Sequence, residues 1–305
     1  MAKYAVRRLL WIIPVLIGVS LITFFIMHFV PGGPWDREKR LAPAVVENLN
    51  HKYGLDDPIW KQYVHFVGNA LHGDLGISYT YQDRSVSSII VQGLPKTATI
   101  GLLAFALAIG LGVPLGMLAA VRQNSWIDYA SVGFATVFAA VPSFILAFFL
   151  IIVFSIKLHF FPTGGWGTPR QLVLPSLALA ALPLAYIARI TRASMLDVLR
   201  QDYIRTARSK GLRSLVVYYR HALKNALIPV ITITGPELAA LVTGSFIIEQ
   251  IFSVPGVGRL FVQGIFQRDY ALIMGTILFY AVVVAVLNLL VDLLYGVIDP
   301  RVRYG

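Results

Sequence analysis

The sequence has no cysteine among its 305 residues, which excludes disulfides and thiolate metal sites and leaves the redox compartment unread. Charge is scarce as well. Only 13% of the residues are Asp, Glu, Lys or Arg, where a soluble domain carries about 25%. With 57% hydrophobic residues and a mean hydropathy of +0.72, the chain reads as one integral membrane domain with no room for a soluble catalytic domain. Catalytic signatures are missing too. There is no G-x-x-x-x-G-K-[S/T] loop to cradle phosphates and no H-E-x-x-H. The histidines (His28, His51, His65, His72, His159 and His221) stand singly, a poor set of metal ligands. Nothing groups like a Ser/His/Asp triad. The sequence therefore predicts neither an enzyme nor a bound metal or cofactor, and it excludes phosphate cradling of the P-loop type.

What is present is a series of long apolar runs. Lys3, Arg7 and Arg8 precede the largely apolar stretch from Leu9 to Val30, long enough to cross a hydrocarbon core of ~30 Å as a helix. A cleaved signal would have an apolar core of about 7–15 residues and a small-x-small cleavage site. A retained first span with its N-terminus inside is expected instead. Pro31-Gly32-Gly33-Pro34 ends it. Residues 31–96 are polar and amphipathic with balanced charges, Asp36, Arg37, Glu38, Lys39 and Arg40 among them. They are expected to form a small helical extracytoplasmic subdomain. Within it Ile59, Tyr63, Phe66, Val67 and Leu71 share one helical face, with Asp57-Pro58 as the start signal and Gly73 as the stop.

Further spans are expected at Thr97–Val121, Tyr129–Ile156, Leu172–Ala188, Ala226–Ile248 and Ala271–Ile298, the third of these short but able to continue helically to Leu199. The fold class is thus all-α, a six-span membrane protein with both termini cytoplasmic. Its segments are the tail and first span (1–30), the extracytoplasmic subdomain (31–96) and a five-span core (97–305) with a cytoplasmic loop at 189–225. That loop holds Arg189, Arg192, Arg200, Arg205, Arg208, Lys210, Arg213, Arg220 and Lys224 against only Asp197 and Asp202. The cluster lands inside without having set the orientation, and it explains the net charge of +11 by topology and anionic-lipid contact. Nucleic acid is not needed as a partner.

Two acids fall inside apolar spans, Glu237 and Asp292. A carboxylate at membrane depth faces a cavity, finds a partner or is protonated. Glu237 reads either as a pathway residue that meets a substrate's cationic end or as a protonated or internally bonded acid at a subunit contact. Asp292 reads as paired at the interface with Arg301 or Arg303.

Between long apolar segments lies the polar stretch Asp202-Tyr203-Ile204-Arg205-Thr206-Ala207-Arg208-Ser209-Lys210-Gly211. Asp202 is expected to N-cap a short helix and Gly211 to take the left-handed turn after it, with Arg208 and Lys210 in the last turn where the dipole favours cations. Such a helix is either presented to a partner or is an ordinary basic loop.

This stretch resembles the cytoplasmic loop of ABC-importer permeases, in which E-A-A-x-x-x-G is followed by I-x-L-P. Gly211 stands at the glycine, Arg205-Thr206-Ala207 where the family pattern has E-A-A, and His221-Ala222-Leu223-Lys224 at the I-x-L-P place, matching at Leu223. The variant running from Tyr203 to Leu212, with Arg220 to Pro229, is similar to the peptide-importer branch. So are Arg7-Arg8-Leu9, His72-Gly73-Asp74-Leu75-Gly76, Gly164-Gly165-Trp166, Val254-Pro255-Gly256-Val257-Gly258 and Ile298-Asp299-Pro300-Arg301. The resemblance is to oligopeptide permeases, with dipeptide, nickel and glutathione permeases alike.

It implies a subunit of the bacterial inner membrane that pairs with a homologous second permease, two cytoplasmic ATPase subunits using ATP and Mg, and an extracytoplasmic peptide-binding protein. It also implies that the polar helix is a coupling helix. Asp202, Tyr203, Arg205, Thr206, Ala207, Arg208, Lys210 and Gly211 would then meet an ATPase groove, the small Ala207 and Gly211 allowing close approach. The rival of a different class is a proton-coupled secondary transporter using Glu237 and Asp292.

Overall fold

The computed structural model describes residues 2–35, 42–81 and 83–298. Asp36 to Arg40, Asp299, Pro300, Arg301 and Arg303 lie outside the described residues, as does the side chain of Asp292, and with them the expected interfacial pairing of Asp292. The described chain is built of helices. In order they are α1 (Ala2–Phe29), α2 (Pro43–Tyr53), α3 (Ile59–Leu71), α4 (Val86–Val121), α5 (Trp126–Ala140) and α6 (Ser143–Leu150). There follow α7 (Pro169–Leu199), α8 (Asp202–Ser209), α9 (Ser214–Val216), α10 (Leu223–Thr243), α11 (Phe246–Ile251), α12 (Val257–Gln267) and α13 (Tyr270–Ile298). Among the described residues five segments are long and apolar enough to cross a membrane, and a sixth results if α5 and the helix after it count as one broken span.

That broken span corrects the expectation of one helix over Tyr129–Ile156. The chain bends by 106° between Trp126–Ala140 and Ser143–Lys157. Pro142 supplies the cause. It carries no N–H to continue the ladder of α5, and it drives the residue before it out of the α region; Val141 is extended at φ −86°, ψ 122°. Two other boundaries also move. α4 begins at Val86, eleven residues before the expected Thr97, and α10 ends at Thr243, where Gly244 at φ +80° breaks the expected run to Ile248. α7 does continue to Leu199 as one helix, and α3 starts after Pro58 and stops before Gly73 as its flanking signals require.

The chain divides into two compact units, Met1–Thr97 with Val254–Gly305, and Ala98–Ser253. In the first, Phe24 and Met27 of α1 pack on Ile273 and Met274 of α13, and a second cluster joins Val86, Ile89 and Ile90 to Val257 and Leu272. Several of its buried polar groups are matched. Thr97 accepts the backbone N–H of Val257 at 2.9 Å. The buried Asp269 accepts from Leu272 N at 3.0 Å, from Ser78 Oγ at 2.5 Å and from Thr80 N at 3.0 Å. Between these contacts Tyr79 packs among Trp35, Tyr53 and Tyr270. Burial first, and the Asp269 carboxylate second, push its ionisation above the usual phenol range, so Tyr79 stays neutral.

In the second unit α7 is the axis, packed by α5, α6 and α10. Its core of Ala180, Leu184 and Ile187 meets Ala104 and Ala108 of α4 and Val230 and Leu241 of α10. Glycines in α4 permit this closeness. A Cβ at Gly116 would strike the carbonyl of Ala188 and the side chain of Thr191, and one at Gly112 would lie 3.0 Å from the carbonyl of Leu184. Gly112 and Gly116 are one turn apart, the small-xxx-small spacing by which membrane helices approach backbone to backbone.

Candidate functional site

The polar stretch forms α8 as expected, but its N-cap is shifted. Gln201, extended at φ −70°, ψ 150°, is the N-cap, and its side chain makes no capping bond. Asp202, expected at the N-cap, is instead the first helical residue. There its carboxylate still favours the dipole and lies 3.3 Å from Arg205 Nη1, with both side chains largely in solvent, a pair worth little. At the other end Gly211 has φ +75° and its N–H donates to Arg208 O at 2.9 Å. Only glycine takes that left-handed position without strain. Proline could match neither the dihedral nor the bond.

α8 has two opposite faces. Ile204 and Ala207, one turn apart, are buried against Met117 and Ala120 of α4, Met195 of α7, and Val217, Ala222 and Ala226. Asn225 Nδ2 donates to Tyr203 Oη at 2.7 Å and ties the helix to the start of α10. Tyr203, Arg205, Thr206, Arg208 and Lys210 point outward, continued by exposed Gly211, Leu212, Leu215 and Tyr219. Ala207 was expected on the outward face for close approach to a partner. It is 7% exposed and its small size serves the inner contact instead, because Ile204 and Ala207 are the apolar pair that an eight-residue helix can dock.

A neighbouring ion pair escaped the sequence reading. Arg192 of α7 donates Nε and Nη2 to Asp128 Oδ1 and Oδ2 at 2.5 and 2.7 Å. Asp128, 2% exposed, sits in the first turn of α5, where Oδ2 also accepts Asn124 N at 3.0 Å and the N-cap Ser125 accepts Asp128 N at 3.4 Å. This two-pronged geometry is the strong form of a charge-assisted contact. Ser125-x-x-Asp128 before an apolar run is a helix-start signal that could have placed Asp128. Its partner 64 residues away had no local signal. The pair joins α5 to the C-terminal part of α7, four residues beyond Ala188, and α7 is followed closely by α8.

Glu237 lies on α10, in helical line with the buried Val230 and Leu241, yet is itself only half-buried. It has no hydrogen-bond or ion-pair partner among the described residues. The structure does not bring Glu237 and the α8 residues into one site, and among the described residues no group of His, Asp or Glu is arranged to hold a metal.

Comparison with known proteins gives the same architecture a context. Residues 112–304 match the family described as binding-protein-dependent transport system inner membrane component, and residues 1–101 match its N-terminal companion. The chain is 43% identical over 303 residues to the dipeptide transport system permease protein DppB of Bacillus subtilis, covering 99% of this chain and 98% of that one. It is 43% identical over 306 residues to the oligopeptide transport system permease protein OppB of Salmonella typhimurium, covering all of both. Among solved structures it resembles the inward-facing MetNI methionine ABC transporter, with TM-score 0.58, 19% identity, and coverage of 69% of this chain and 96% of that one. At that identity the likeness is one of fold.

Proposed function

We propose, because this chain belongs to the family of binding-protein-dependent transport system inner membrane components, that it is the permease subunit through which an ABC importer admits short peptides. Membership makes it an inner-membrane permease of the oligopeptide and dipeptide branch. The substrate class rests on full-length relatives named for both dipeptide and oligopeptide transport. The proposed assembly adds a homologous second permease, two cytoplasmic ATPase subunits that bind ATP with Mg, and an extracytoplasmic peptide-binding protein.

The observation that carries the coupling assignment is the division of α8 into a face docked on its own bundle and a face left open. Motion imposed on Arg205, Arg208 and Lys210 from outside passes through Ile204 and Ala207 to α4, α7 and α10, because packed interiors transmit displacement rather than absorb it. Glu237, half-buried and without a partner among the described residues, is the proposed pathway group for a peptide's cationic end.

Proteoliposomes holding the assembled complex test this reading. Peptide uptake requires ATP on the ATPase side and survives collapse of the proton gradient. Uptake that ignores ATP but fails when the gradient is collapsed would transfer the assignment to a proton-coupled transporter.

A further inference from the structure

One face of α3 lacks a partner among the described residues. At 3.6 residues per turn its residues fall into three sectors. Tyr63 and Phe66 pack on the cluster of α1 and α13. Lys61, His65 and Asn69 form an exposed polar sector. Trp60, Val64 and Leu71, exposed by 69%, 61% and 81%, form an apolar sector with half-buried Val67 between them. A stripe of that kind on a helix facing water would be costly to keep exposed.

Depth identifies what covers it. The hydroxyl of Tyr63 is hydrogen-bonded to Ser20 Oγ at 2.9 Å and reaches Ile17 O at 3.5 Å, while its ring packs on Phe24. One residue earlier, Gln62 Oε1 lies 3.4 Å from His28 Nε2. Ser20 is nine residues before the end of α1 at Phe29, about 13 Å along a helix rising 1.5 Å per residue. The membrane-crossing part of α1 is Arg7–Phe29, so Ser20 lies close to the middle of a core of ~30 Å. A tyrosine side chain bridges only part of that drop, and the backbone of α3 therefore sits below the outer end of α1. Next to it α1 keeps Leu21, Ile22, Phe25 and Phe29 exposed, a surface that a first span turns to lipid.

We infer that α3 is an interfacial helix seated in the outer leaflet, its Trp60–Val64–Leu71 face covered by lipid acyl chains and its Lys61–His65–Asn69 face turned to headgroups and water. The three-sector pattern is what a helix lying in the membrane plane needs, with apolar residues sunk about 5–10 Å into the acyl boundary and a tryptophan at headgroup level. The expected extracytoplasmic subdomain is then anchored in the bilayer and does not project freely above it.

The absence of native cysteine makes the test direct. Single spin labels at Val64→Cys, His65→Cys and Phe25→Cys are measured in the assembled complex in lipid nanodiscs, by collision with oxygen and with a water-soluble nickel chelate. The expected result is an oxygen-to-chelate ratio at Val64→Cys several-fold above that at His65→Cys and equal to that at Phe25→Cys. A ratio at Val64→Cys equal to that at His65→Cys would place the face in water. Protection from both reagents would place it against protein. Either result overturns the inference.

Discussion

Asp128→Ala is expected to cost the permease about 3 kcal/mol, the lower end of the range for removing one member of a buried pair. The variant leaves the Arg192 guanidinium against α5 without its two oxygens, and also frees the N–H of Asn124. The lower end applies because Arg192 keeps 27% of its side chain exposed, so water takes over part of what the carboxylate supplied. Thermal denaturation of the purified complex in nanodiscs measures the loss. The double variant Asp128→Ala with Arg192→Met separates pairing from packing. Removing both charges and keeping an apolar stem is nearly neutral where a pair is buried, so the double variant is expected to recover most of the stability lost in the single one. A double variant as unstable as Asp128→Ala would mean that the capping bonds of Asp128, rather than Arg192, hold α5 in place.

The second large effect is functional and leaves stability alone. Arg205→Glu with Arg208→Glu changes only exposed side chains of α8. Exposed substitutions away from packed features stay within about 0.5 kcal/mol, so the variant is expected to insert, assemble its transmembrane part and melt like the wild type. Uptake is nevertheless expected to fall to background, because the face proposed to meet the ATPase has reversed its charge. Ile204→Ala is the contrasting variant. Ile204 is fully buried, and its truncation costs about 2–5 kcal/mol, so uptake and stability are expected to fall together. Normal uptake by the double-Glu variant would remove α8's outward face from the coupling mechanism.

Much of this architecture was legible because its signals are local. Asp57-Pro58 and Gly73 bound α3, Gly211 takes the left-handed turn that ends α8, and apolar length locates the spans on α1, α7 and α13. Pro142 marked a place for a kink, but the size of the bend at Val141-Pro142 was not legible. Both arms are apolar, so hydropathy does not distinguish a straight span from one bent by 106°, and proline within a membrane helix is often tolerated. α4 starts early because its first turns carry Ser87, Ser88, Gln92 and Lys96, which read as loop although the helix there packs Ile89 and Ile90 on Val257 and Leu272. The contact of Asp128 with Arg192 depends on tertiary placement. Ala207 is a different case. Its spacing from Ile204 already predicted a shared face, and reading its small size as an opening for a partner passed over the helix's own need for a docked side.

The two-faced α8 is the central claim, and site-directed photocross-linking tests it most directly. A benzophenone attached at Arg208→Cys, and in a second variant at Ala207→Cys, is illuminated in the assembled complex. The account predicts capture of an ATPase subunit from position 208 and none from position 207. Capture from both positions alike, or from 207 alone, would contradict it.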